Sequence, residues 1–202
     1  MIKVCILDYG SGNVSSVKNL IDHLKFNCVI SNKIEVLKKS SHIILPGVGA
    51  FGAAMKKIKK NIPFKILENE VLVKNKPFLG ICIGMQLLAD KSQEFGNHKG
   101  FGWIKGDVKK IKSKKLPHIG WNNIIKKKNS SIIENLEIYK DFYFVNSFHF
   151  EPIEKDYIIT ETNYGHNFCS IIQKKNIIGV QFHPEKSQKA GQVIIKNFLK
   201  MK

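Results

Sequence analysis

The run Phe78-Leu79-Gly80-Ile81-Cys82-Ile83-Gly84-Met85-Gln86 admits few local geometries. Its apolar start asks for a short buried strand. Its cysteine, framed by two glycines, asks for a sharp turn, and a helix follows from near Gly84. A cysteine on such a strand-to-helix elbow is placed to act as a nucleophile. About 100 residues later comes Gln181-Phe182-His183-Pro184-Glu185, a histidine and a carboxylate at the end of another apolar run. A thiol, a base and an orienting carboxylate are the parts of a cysteine-nucleophile enzyme.

The chain around this elbow alternates strands and helices. Strands are expected at residues 3–8, 28–30, 42–45 and 78–81. Helices are expected from Val14 through Leu24, at 34–39, 50–60 and 63–74, and from Gly84. This rhythm predicts an α/β fold with a mostly parallel central sheet and helices on both faces. Ligands in such sheets bind beyond the carboxyl ends of the strands. Asp8-Tyr9-Gly10, Pro46-Gly47-Val48-Gly49 and Cys82 all follow strands, so all three are expected at one edge. The second half adds strands at 102–111, 118–125, 142–150, 157–162, 168–173 and 177–182. Residues 126–131 read as a loop, and an amphipathic helix at 189–200 closes the chain. At 202 residues the chain fits one domain, 1–202.

Bulk properties narrow the function. No apolar run reaches membrane-spanning length, and the N-terminus lacks a signal-peptide pattern, so a cytoplasmic location is expected and no membrane partner. Cys5, Cys28, Cys82 and Cys169 form no C-x-x-C pair, which argues against a zinc or redox site. No metal and no cofactor are implied. Cys5, Cys28 and Cys169 read as small core residues. The net charge of +17 raises a nucleic-acid partner. All 33 basic residues are lysine, however, and the guanidinium suited to bidentate phosphate and guanine contacts is missing. Dispersed pairs such as Lys56-Lys57 and Lys59-Lys60 read as a solvated surface, and no nucleic-acid partner is expected.

A cysteine at a helix N-terminus favours its thiolate. His183 can take and return a proton, and Glu185 can hold the imidazole in one tautomer. Backbone amides at Ile83 and in the 46–49 turn are candidates for stabilising an oxyanion. Taken singly, each residue has a plainer reading: Cys82 as a small core residue, His183 as a hydrogen-bonded one, Asp8 as a turn residue, Glu94 as a solvated loop charge.

The two motifs together resemble the class I (triad) glutamine amidotransferases, with a flavodoxin-like fold and the triad Cys82, His183 and Glu185. Asp8-Tyr9-Gly10-Ser11-Gly12-Asn13, residues 45–51, Pro117-His118-Ile119-Gly120-Trp121-Asn122, Tyr143-Phe144-Val145 and His183-Pro184-Glu185-Lys186-Ser187 look like the glutaminase subunit of imidazole glycerol phosphate synthase. The resemblance implies that Gln86 and Glu94 bind glutamine and that the Val48 and Ile83 backbones form the oxyanion hole. The partner it implies is a (β/α)8-barrel cyclase subunit, contacted through Asn13, Trp121, Asn122, Tyr143 and Lys186. Ammonia would pass through that barrel to a ribonucleotide, giving imidazole glycerol phosphate and the aminoimidazole carboxamide ribonucleotide in histidine synthesis. One departure stands out: Asn146 follows Tyr-Phe-Val where the family commonly has histidine. It leaves open a second reading, a glutaminase that feeds a sugar amidotransferase in surface-polysaccharide or flagellin-glycan synthesis.

Overall fold

The computed structural model describes residues 3–201; Met1, Ile2 and Lys202, at the ends of the expected 1–202 unit, lie outside the described residues. The first half follows the expected rhythm: β1 (Lys3–Leu7), α1 (Val14–His23), β2 (Asn27–Ser31), α2 (Ile34–Lys39), β3 (His42–Gly47), α3 (Phe51–Asn61), α4 (Phe64–Glu68), β4 (Phe78–Cys82) and α5 (Ile83–Gln86). The second half holds β5 (Lys91–Ser92), β6 (His98–Lys99), β7 (Gly106–Lys110), β8 (His118–Asn123), β9 (Ile125–Lys126), β10 (Asp141–Asn146), β11 (Phe148–Pro152), β12 (Ile158–Asn163), β13 (Asn167–Lys174), β14 (Ile177–Val180) and α6 (Gln188–Leu199).

The central sheet runs β2-β1-β3-β4-β14-β13-β12-β9. Its first five strands are parallel and its last three antiparallel additions. β1, β3, β4 and β14 are buried almost throughout and read as unbroken apolar runs, as parallel strands covered on both faces do. A second sheet runs β11-β7-β5-β6, and β10 pairs with β8 as a two-stranded ribbon.

The carboxyl ends of β1, β3 and β4 converge as expected. Asn61 donates to Tyr9 O at 2.8 Å, and Lys57 donates to Gly10 O at 2.9 Å. A Cβ on Gly12, whose φ is +108°, would sit 2.8 Å from Pro46 O. Asp8 accepts from the Gly10 amide at 2.9 Å, which makes it the turn residue of the plainer reading.

Several boundaries differ from the sequence reading. The helix expected at 63–74 widens after α4 into a π-helical turn, Asn69–Val73. There the carboxylate of buried Glu70 meets Lys74 at 2.6 Å and Lys76 at 2.7 Å. The strand expected at 102–111 starts only at Gly106, because Phe101 and Trp103 pack with Phe64 as a ring cluster instead. The single strand expected at 142–150 breaks at Ser147, and its halves join different partners, β8 and β7. The strand at 118–125 likewise divides, with β9 crossing to the edge of the central sheet. Residues 155–157 form a 3-10 turn before β12. The 126–131 loop is bounded by β9 and by a 3-10 turn, Ser131–Ile133, capped by the Ser130 hydroxyl. Two-residue β5 and β6 are too short to carry a period. Cys5 and Cys169 are buried, but Cys28 is only half-buried, with its Sγ 3.3 Å from Asp22 Oδ1.

Candidate active site

β4 delivers Cys82 to the elbow with φ +54° and ψ −108°, a conformation sparsely populated by residues with a side chain. Such strain costs of order 1–3 kcal/mol and persists only when its surroundings enforce it. Here they do. A Cβ on Gly80 would lie 2.3 Å from Gly84 O, one on Gly84 would lie 2.0 Å from Leu45 O, and one on Gly47 would lie 2.8 Å from Ile83 Cβ. The glycines let α5 press directly onto β3 and β4. α5 itself is one turn long, so the field at Cys82 comes from nearby amides rather than from the dipole of a long helix.

β14 runs parallel beside β4, with Val180 paired to Ile81, so the residues after it arrive beside Cys82. The 183–187 segment is clamped to β10: His183 N donates to Tyr143 O at 2.9 Å, Tyr143 N donates to Ser187 Oγ at 3.0 Å, and that hydroxyl donates to His183 O at 2.6 Å. His183 Nδ1 faces Glu185 Oε1 at 2.8 Å, which leaves Nε2 for the thiol. Burial alone lowers the imidazole pKa. Hydrogen bonds to Cys82 and Glu185 outweigh burial and raise it to about 10. Those two partners favour the protonated ring. Asn13 donates to the same Glu185 oxygen at 3.2 Å.

Cys82, His183, Val48, Gly49, Ile83, Gln86 and Glu94 line one cavity of about 290 Å³, closed by residues 145–148, Pro117 and Lys186. Glu94 is not a free loop charge: its Oε2 accepts from the Phe51 amide at 2.7 Å, at the start of α3. Gln86 is buried; its Nε2 donates to Phe148 O at 2.9 Å and Gln181 Oε1 at 3.0 Å, while its Oε1 has no partner among the described residues. Buried Tyr9 packs against Ser11 and the Val48 backbone, and burial, with Cys82 adding to it, holds the phenol above its ordinary range.

The five residues expected at a partner surface divide. Trp121 is 49% exposed and meets Tyr143 edge-on at 5.8 Å, and Lys186 Nζ lies 5.6 Å from the Tyr143 ring. These three form one apolar and cationic patch beside the cavity mouth. Asn122 turns to the other face of β8 and bonds His118 and Asn163 O. Asn13 is engaged with Glu185. Asn146 is buried, donates to Phe148 O at 3.0 Å and also lines the cavity. Sequence reasoning missed Gln181, whose Nε2 lies 3.7 Å from Cys82 Sγ, and Val145, whose carbonyl lies 3.8 Å from that sulfur. A glutamine inside an apolar run was the available signal for Gln181.

The family model described as glutamine amidotransferase class-I matches residues 5–201. A relative from Vibrio vulnificus, imidazole glycerol phosphate synthase subunit HisH 2, is 43% identical over 98% of this chain and 94% of its own length. The HisH subunit of Aquifex aeolicus is 42% identical over 98% and 96%, and that of Methanocaldococcus jannaschii 43% over 97% and 98%. Among solved structures, a glutamine amidotransferase superposes with TM-score 0.74 at 16% identity, covering 98% of this chain and 97% of that one. A second glutamine amidotransferase, from Thermotoga maritima, gives 0.64 at 16%, covering 98% and 82%. Those two share the fold, and the model and relatives, aligned nearly end to end, settle the rest: the chain belongs to the class I glutamine amidotransferases.

Proposed function

We propose that the chain is the glutaminase subunit of an imidazole glycerol phosphate synthase, with residues 1–202 as one functional unit. The observation that carries this is the strained Cys82 elbow joined to His183 and Glu185, in a chain more than 40% identical to HisH subunits over nearly its full length. Cys82 attacks the side-chain amide carbon of glutamine as thiolate. The oxyanion so formed is held by the backbone amides of Val48 and Ile83. His183, already protonated, gives its proton to the departing ammonia, and a γ-glutamyl thioester remains on Cys82. Water then attacks the thioester with His183 as base, releasing glutamate and restoring the thiolate–imidazolium pair. Glu185 keeps Nδ1 protonated throughout. Gln86 and Glu94 line the cavity and orient the substrate, the Glu94 carboxylate as an acceptor for an ammonium group and the Gln86 side chain held by Phe148 O and Gln181 Oε1.

Ammonia needs an acceptor, and the Trp121–Tyr143–Lys186 patch beside the cavity offers a docking face. The partner read for it is a (β/α)8-barrel cyclase subunit, joined in the cytoplasm. No helix among the described residues is long and apolar enough to cross a membrane. Asn146 favours one alternative. It stands in the cavity wall where the family commonly has histidine, and it cannot titrate. A sugar amidotransferase is the corresponding alternative partner.

The deciding experiment measures glutamate release by the purified chain, alone and with the cyclase from the same genome plus its ribonucleotide ligand. Cys82→Ala is the blank. Strong stimulation supports the cyclase pairing. No stimulation with a folded chain and an active cyclase overturns it and points to the sugar amidotransferase.

A further inference from the structure

Gln181 is the polar exception in the run Ile177-Ile178-Gly179-Val180-Gln181-Phe182, and it is fully buried. The register of β14 on β4 brings it out level with Cys82. Its backbone N–H goes to Ser170 O at 2.9 Å, so its side chain is free to serve the site. The orientation of that side chain is fixed by a chain of acceptors. Gln86 Nε2 donates to Phe148 O at 2.9 Å and to Gln181 Oε1 at 3.0 Å. A carbonyl only accepts, so Gln86 must turn its amino group this way. Gln181 must then turn its oxygen to Gln86 and its own amino group to Cys82 Sγ, 3.7 Å away. A flip of Gln181 would set two donors face to face in a buried space.

Val145 O also lies against the sulfur, at 3.8 Å, and can only accept. A protonated Cys82 can donate to that carbonyl; a thiolate cannot. The Gln181 N–H acts in the other direction, because a donor binds a charged acceptor about twice as strongly as a neutral one. We propose that Gln181 is a catalytic residue: its side-chain N–H donates to the Cys82 sulfur and favours the thiolate, while its oxygen locks Gln86 in place. This role rests on the glutaminase reading for the reaction served, whereas the effect on the sulfur can be measured without it.

The test follows alkylation of Cys82 by iodoacetamide across pH, read by peptide mass spectrometry on the full chain. Gln181→Met keeps length and removes the donor. Gln181→Glu keeps the acceptor for Gln86 and turns an acceptor to the sulfur. At pH 7 the Met variant is expected to alkylate about tenfold more slowly than the native chain, since only thiolate reacts. The Glu variant is expected to be slower still, and both gaps close as pH rises. kcat for glutamine falls in parallel in both variants, and KM rises in the Met variant, which also lacks the oxygen that holds Gln86. Labelling of buried Cys5 and Cys169 marks an unfolded variant, for which Gln181→Asn, a shorter amide out of reach of the sulfur, is substituted. Equal pH profiles in native and folded variant chains overturn the proposal, even if glutaminase activity is present. A chain that releases no glutamate with any partner but keeps the alkylation gap overturns the glutaminase reading and leaves the role of Gln181 standing.

Discussion

Asn13 Nδ2 lies 3.2 Å from Glu185 Oε1, the same oxygen that meets His183 Nδ1 at 2.8 Å. A residue just ahead of α1 thus steadies a carboxylate 172 positions away. Glu185→Gln removes the charge opposite the imidazolium, and kcat is expected to fall about a thousandfold. Asn13→Ala leaves that charge in place and is expected to lower kcat only about tenfold, the worth of one hydrogen bond to a charged group. Comparable losses in the two variants, measured by steady-state glutamate release, would contradict this ranking.

Glu94 serves both the fold and the cavity. Glu94→Gln keeps an oxygen for the Phe51 amide and loses the charge. KM for glutamine is expected to rise about tenfold or more with Tm nearly unchanged. Glu94→Ala loses the cap as well, which costs about 1 kcal/mol in addition. Thermal melts and KM on both variants separate the two contributions.

Gly84→Ala places a methyl 2.0 Å from Leu45 O, a backbone atom with nowhere to go. A loss of about 3 kcal/mol or more in stability is expected, with activity lost alongside, because α5 must lift from β3. A denaturant midpoint equal to that of the native chain would show that the elbow tolerates a side chain after all.

Two buried histidines set opposite pH limbs. The His183 pKa rises from its ordinary 6.5 to about 10 on folding. Its bound proton contributes fully to stability below pH 6.5, and that contribution fades as pH climbs toward 10. The His149 pKa falls from 6.5 to about 4, through burial first and the neighbouring His166 second. The unfolded chain takes that proton more readily, so stability drops as pH falls from 6.5 toward 4. Denaturant midpoints across this range check both signs: His183→Gln is expected to flatten the alkaline limb and His149→Phe the acid one.

The parallel half of the fold was legible because β1, β3 and β4 are apolar runs followed by glycine-bearing turns, at Asp8-Tyr9-Gly10, Pro46-Gly47 and Cys82-Ile83-Gly84. The elbow was legible for the same reason: only glycines permit the contacts found at residues 80 and 84. The second half was harder. Nothing local in Phe142–Phe150 says that Ser147 is a joint, since both halves share one apolar alternation and only their partners, β8 and β7, differ. Asn13 read as a surface residue because its bond to Glu185 spans nearly the whole chain. Asn122 read as a neighbour of Trp121, yet consecutive strand residues face opposite ways.

β4 and β14 are neighbours in space but about 100 residues apart in sequence, and β14 fills the edge of β4 that faces away from β3. During synthesis the nucleophile is therefore made long before its surroundings. Until residues 177–185 emerge, β4 keeps a bare edge, and Cys82 has no imidazole, no carboxylate and no Gln181 beside it. The activating groups come late, and a nascent or truncated chain that lacks its final segment carries the thiol without them.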